Sequence, residues 1–298
     1  MLENKGNYLK HKHSYTDGAY KRYGLWLNKF EEVIIKGESE VTVDDIDQFK
    51  VWLTARYASK SVEYAMTILR NYFVFLSLNN IPCLNPELIK APKGRAVSHE
   101  AASPEDYQKI LSFIERTMPN NEPRYFQTQL MIRIMGETGV RVSELTSIMM
   151  DDINLEKCAA LIDNKKNKNK RWIYWSFATN QILLKYLPVR EHMKRNTRAL
   201  FVGREIDDKA ITTRSVERIV KMCCEGAGIK NIVPHSFRHG TAHNILERGG
   251  TVADVQKTLG HQSPLSSMKY LQYSDREHEM RAKKFLTPDP LTVDKAPV

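Results

Sequence analysis

The stretch PHSFRHGTAHNILERGG, Pro234 to Gly250, decides how this chain is read, together with HQSPLSSMKY, which begins eleven residues later at His261. His235, His239 and His243 recur every four residues, so on a helix they would stack on one side as zinc ligands do. A hydrolytic zinc helix, however, carries a glutamate directly after its first histidine, and here Ser236 and Gly240 follow His235 and His239. No Cys-x-x-Cys pair or acidic third ligand stands nearby, which argues against a metal site. With Arg238 as the centre the helix reads differently. His235 and Arg238 are three apart, on neighbouring points of one face, and Pro234 sets the helix start beside them. Two donors then stand where one phosphate could sit.

A second arginine fits the same purpose. Arg141 follows the helix end in "ETG" and opens the helix "RVSEL", where backbone N–H groups and the helix dipole favour an anion. Arginine suits phosphate because its planar fork binds two oxygens at once and never loses its charge.

The overall charge points the same way. The 298 residues give room for two modest domains, and 42% hydrophobic with 27% charged residues is the balance of a soluble globular protein. Lys and Arg number 45 against 35 Asp and Glu, and the resulting net charge of +10 favours a polyanionic partner. Cys83, Cys158, Cys223 and Cys224 form no spaced framework, which fits a reducing cytoplasm. The N-terminus lacks an apolar stretch of signal-peptide length, and no run approaches the roughly 18 apolar residues that span a bilayer. The expectation is a soluble, unexported protein with no membrane partner.

Periodicity lays out the elements. Ser14 to Ile35 reads as a helix with Tyr20, Tyr23, Leu27 and Phe30 at helical spacing, and "TVDD" opens a second one with Ile46, Phe49, Leu53 and Tyr57. In the third, Val62, Ala65, Met66, Leu69, Tyr72, Phe73 and Leu76 form an apolar stripe opposite Lys60, Glu63, Thr67 and Arg70. The stripe is read as core and the basic face as open to DNA. From Ile81 the prolines and small residues of "IPCLNPELIKAPKGRAVSHEAASPED" mark a linker. Ser103 and Pro104 open the next helix, and another runs from Tyr125 to Thr138 and ends at Gly139. Two β-rich runs follow, Ala159 to Ile162 and Trp172 to Trp175, joined by a polar turn. Helices resume around Gln181, Thr213, Pro234, Val252 and Ser266.

"TGVRVSEL", "PHSFRH", "TLGHQS" and a tyrosine nine residues past His261 together resemble the tyrosine recombinase (phage integrase) family, in particular its two-domain members of the Xer and Cre type. The likeness covers residues 100 to 285, with a looser one to the family's core-binding domain before them. It implies a mainly α fold: an N-terminal helical, SAM-like core-binding domain (1–90), a linker (91–102), a mainly helical catalytic domain with a small β-hairpin or sheet (103–286) and a tail (287–298). The domains would close around duplex DNA as a C-shaped clamp.

The resemblance also implies the chemistry. A tyrosine hydroxyl attacks a DNA phosphodiester, giving a 3′-phosphotyrosyl link and a free 5′-hydroxyl, and strand exchange reverses the step on a new partner. Tyrosine, with a reference pKa near 10, is a poor nucleophile at neutral pH, so the pentacoordinate state needs electrostatic stabilisation. Arg141 and Arg238 would hold the non-bridging oxygens, His235 would be general base or hydrogen-bond partner of the tyrosine, and His261 would donate to the phosphate. The family's general acid is a lysine on a β-turn. "NKKNKNKR" departs from the usual glycine-containing turn and offers several; counting without gaps from Arg141 selects Lys165. Lys166, Lys168, Lys170 and Arg171, with Lys60 and Arg70, are read as contacts to the DNA backbone. Tyr270 stands at the family's interval from His261 and is taken as nucleophile over Tyr273, one turn further on; Glu144 matches an acidic position that orients its neighbours. One phosphoester is exchanged for another, so neither metal nor ATP nor any other cofactor is expected.

Implied partners are double-stranded DNA recombination sites, an accessory directionality factor and other copies of the chain, monomeric in solution and tetrameric on paired sites, in the cytoplasm with the nucleoid. The atypical lysine turn favours integration and excision of a mobile element over resolution of chromosome or plasmid dimers. A type IB topoisomerase, a silent DNA-binding protein and a zinc hydrolase are the readings weighed against a recombinase.

Overall fold

The computed structural model describes residues 2–13, 17–94, 100–120, 122–164, 169–192, 197–203, 209–261 and 265–268. The chain divides into two compact units, Met1–Ser98 and His99–Val298.

The first unit is helical. α1 (Lys5–His13) and α2 (Asp17–Val33) are followed by α3 (Val43–Thr54) and α4 (Ser59–Leu78), and α1, α2 and α3 all pack on α4. The apolar stripe expected on α4 is buried at every position from Val62 to Leu76, while Lys60, Thr67 and Arg70 are exposed. Leu27, Phe30, Ile46, Phe49 and Leu53 complete the core, and Tyr20 of the expected α2 stripe is exposed instead. α1 precedes the first helix expected from periodicity, which starts at Ser14. Its six polar or charged residues out of "KGNYLKHKH" mask the helix, and it is held by Tyr8 and Leu9 entering the core. α3 begins where Thr42 accepts a hydrogen bond from the Asp45 N–H and Asp45 accepts one from the Thr42 N–H at 2.8 Å, the reciprocal cap that "TVDD" encodes.

The second unit contains α5 (Pro104–Thr117), α6 (Pro123–Thr138), α7 (Val142–Leu145), α8 (Phe177–His192), α9 (Thr213–Gly226), α10 (Pro234–Glu247), α11 (Val252–Leu259) and α12 (Leu265–Met268). α6 runs through its middle against α5, α8 and α10 and is buried on nearly every side, so its sequence lacks a polar face. The buried Gln127 of α6 is satisfied: it donates to the Val202 carbonyl and accepts from the Val202 N–H and the Tyr186 hydroxyl. The β-rich runs form an antiparallel sheet in the order β1 (Ile153–Asn154), β2 (Ala159–Asn164), β3 (Asn169–Tyr174). β1 is two residues long, too short for periodicity to reveal. On β3 Ile173 is buried while Trp172 and Tyr174 face solvent, the alternation of a half-covered strand.

Candidate active site

Pro234 stands at the first position of α10, so the helix places His235 in its opening turn, exposed, and Arg238 one turn further in, 1% exposed. A guanidinium taken out of water costs several kcal/mol unless hydrogen bonds replace its hydration. Arg238 finds them at two helix ends. Nη1 donates to the Gly139 carbonyl at 2.7 Å, at the C-terminus of α6, and Nη2 donates to the Leu259 carbonyl at 2.6 Å, at the C-terminus of α11. Carbonyls there lack intrahelical partners and carry the negative end of the helix dipole, so a buried cation suits them. Both helices stop at a left-handed glycine, Gly139 with φ 60° and Gly260 with φ 66°. Two residues beyond the two bonded carbonyls come Arg141 and His261. One guanidinium thus ties together the starts of two distant sequence motifs.

Arg141 precedes α7 and is half-exposed. Its Nη1 donates to Glu144 Oε1 at 2.9 Å and its backbone N–H to Glu144 Oε2 at 2.9 Å, so the buried Glu144 fixes both the backbone and the side chain of the arginine. Arg171 reaches the same carboxylate from β3, with Nη2 3.2 Å from Glu144 Oε2. Burial lowers the Arg171 pKa from its ordinary value; the Glu144 charge works against that shift and the Arg141 charge with it. Two guanidinium groups share one carboxylate here.

His261 follows the α11 cap. Its N–H donates to the Gln256 carbonyl at 3.0 Å and its own carbonyl accepts from Gln256 Nε2 at 3.2 Å. The ring Nδ1 lies 2.7 Å from the hydroxyl of the buried Ser267 on α12, a contact that fixes the orientation of the ring.

Of the residues singled out in the sequence, Arg141, Arg238 and His261 are thus linked through α6 and α11, while His235 sits on the exposed first turn of α10 with its ring 4.6 Å from that of His239. Lys165, Lys166, Lys168, Tyr270 and Tyr273 lie outside the described residues. Lys170 on β3 is exposed; Lys60 is exposed and paired with Glu63; Arg70 is exposed on α4. Arg171 is not a solvated basic residue but a member of the Glu144 cluster. That departure was invisible in "NKNKR" because its cause is a carboxylate 27 residues away. Among the described residues no group of three or more His, Cys, Asp or Glu is placed to share a metal ion, and none of the helices is long and apolar enough to cross a membrane.

A cationic cluster with donors on fixed backbone is suited to stabilising an anionic, crowded phosphorus centre. The sequence matches the phage integrase family over residues 101–277. It is 29% identical over 275 residues to the tyrosine recombinase XerA of Pyrococcus furiosus, covering 91% of this chain and 88% of that one. To the tyrosine recombinase XerC of Corynebacterium glutamicum it is 27% identical over 244 residues, covering 79% and 78%. In fold it is similar to a XerH recombinase bound to difH substrate in a post-cleavage complex, with TM-score 0.73, 22% identity and coverage of 89% and 79%. An integrase of the transposon Tn1549 in complex with transposon right end DNA gives TM-score 0.75, 14% identity and coverage of 94% and 98%. With more than half of its length inside the family match and its arginine and histidine motifs drawn together by Arg238, this chain belongs to the phage integrase family and is a tyrosine recombinase.

Proposed function

We propose that this protein is a site-specific recombinase that breaks and rejoins double-stranded DNA through a 3′-phosphotyrosyl intermediate. The Tyr270 oxygen bonds to the scissile phosphorus, the bond to the 5′-oxygen breaks, and Lys165 supplies the proton that the departing oxygen needs. Arg141 and Arg238 hold the non-bridging oxygens, His261 donates to the phosphate, and His235 receives or shares the tyrosine proton. Arg238 is only 1% exposed, so in this reading its guanidinium becomes accessible to the phosphate as DNA binds. Lys166, Lys168, Lys170, Lys60 and Arg70 serve the DNA backbone, and two domains, divided near the linker at 91–102, clamp the duplex. Paired sites carry four protomers. The observation that supports this most is the pair of bonds from Arg238 to the Gly139 and Leu259 carbonyls.

The departure of "NKKNKNKR" from the usual glycine-containing turn favours integration and excision of a mobile element. The Xer names of relatives that align along most of their length favour the second reading, dimer resolution. Recombination between two unlike sites to give hybrid sites supports the first; exchange between two copies of one site supports the second. The reading common to both is tested by mixing full-length protein with nicked duplexes drawn from DNA flanking the coding sequence. Wild type should leave an SDS-resistant protein–DNA adduct and Tyr270→Phe should not; an undiminished adduct in Tyr270→Phe rejects it.

A further inference from the structure

A basic residue at the end of a lysine-rich turn should be solvated, and Arg171 is not. Its side chain is 16% exposed, Nη2 is spent on Glu144, and Nε and Nη1 are buried with no hydrogen-bond partner. A Cβ placed on Gly260 would lie 2.7 Å from Arg171 Nε and 3.1 Å from its Cζ, so the guanidinium lies flat against the backbone of the residue before His261. Its base is equally fixed. β3 pairs with β2 from Ala159↔Tyr174 to Asn164↔Asn169, with Arg171 opposite Ile162. The carboxylate it bonds is the one that holds Arg141, and two guanidinium groups sharing one buried carboxylate leave a positive charge in excess, an arrangement that an arriving phosphate would offset.

We propose that Arg171 is a positioning residue for strand transfer: it holds the Glu144 carboxylate that orients Arg141 and braces the Gly260–His261 backbone, so that both motifs present donors to one phosphate. Arginine is required because a single planar group must reach the carboxylate with one edge and cover Gly260 with its face, which the point charge of lysine does not do. The proposal rests on the recombinase reading above.

The test uses full-length protein and a nicked duplex that gives the SDS-resistant adduct with wild type. Single-turnover adduct formation at saturating DNA and DNA affinity across a salt series are measured for Arg171→Met, Arg171→Lys and Glu144→Gln, with a melt of each. Arg171→Met should form adduct about a hundred-fold more slowly, the size expected of misplaced catalytic groups, with affinity little changed. Arg171→Lys should recover only part of that loss, and Arg171→Met added to Glu144→Gln should cost little more than Glu144→Gln alone. A wild-type rate at saturation with weakened binding and a salt slope smaller by about 1 would make Arg171 a DNA-backbone contact and overturn the proposal. Full additivity with Glu144→Gln overturns it too. If Arg171→Met does not fold, Arg171→Lys decides by the same split between rate and affinity. Absence of adduct from wild type on every duplex defeats the recombinase reading itself and this proposal with it.

Discussion

Arg238 Nη1 lies 2.7 Å from the Gly139 carbonyl oxygen, a bond between residues 99 apart in sequence that sets α10 against the end of α6. With the matching bond to Leu259 it makes Arg238 a fastener as well as a charge. Arg238→Met should therefore lose stability in addition to activity, because two buried helix-end carbonyls lose their donor at about 1–3 kcal/mol each. Denaturant titration of the variant checks this. An Arg238→Met protein as stable as wild type would show that the carbonyls find other donors.

Gly260 combines a left-handed backbone with a crowded neighbour. Gly260→Ala meets φ 66° and the Arg171 guanidinium, whereas Gly228→Ala meets φ 73° with nothing within 4 Å. Both should lose about 1–2 kcal/mol to the backbone alone. Only Gly260→Ala should also slow adduct formation, since only there must the Glu144 cluster shift. Equal rates for the two variants would detach Gly260 from the site.

Asp45 gives the first unit a pH signature. The hydrogen bond from Lys36, then that from the Thr42 N–H, lower its carboxyl pKa from 3.8 to about 2. A depressed carboxyl stabilises the fold above its unfolded pKa, near 3.9, and that contribution disappears as pH falls through about 2. Asp45→Asn should be less stable than wild type at pH 7, and the difference should shrink as pH falls through about 2 and close only below it. A difference that persists at the lowest pH would place the effect elsewhere.

The general acid can be found by removing the need for it. A duplex with sulfur in place of the scissile 5′-oxygen carries a leaving group that departs without a proton. Lys165→Ala should slow cleavage of the ordinary duplex by about 10²–10⁴-fold and leave the sulfur duplex near the wild-type rate. The same comparison on Lys166→Ala, Lys168→Ala and Lys170→Ala should show no such rescue. Rescue at another lysine would move the assignment along the turn.

How much of this was legible in the sequence depended on how local the cause was. Thr42 with Asp45, Ser103 with Pro104, and Gly139 after Thr138 are caps and stops decided within a few residues, and they stand where the sequence placed them. The α4 stripe was legible because one face meets the core and the other meets water. α1 was missed because two apolar side chains anchor an otherwise polar helix, and β1 because two residues carry no period. At the site, residue types and spacing singled out Arg141, Arg238 and His261, but not the fact that Arg238 is buried and bonded to main-chain carbonyls. Nor could spacing reveal that Arg171 turns away from solvent toward Glu144, since sequence carries no trace of which strand lies beside which helix end.

The most direct test of the account is to trap the adduct on a nicked duplex, digest both components and identify the modified peptide and nucleotide by mass spectrometry. A single linkage between the Tyr270 oxygen and a 3′-phosphate is expected, with a 5′-hydroxyl on the released strand. A linkage through Tyr273, or through a 5′-phosphate, would contradict it.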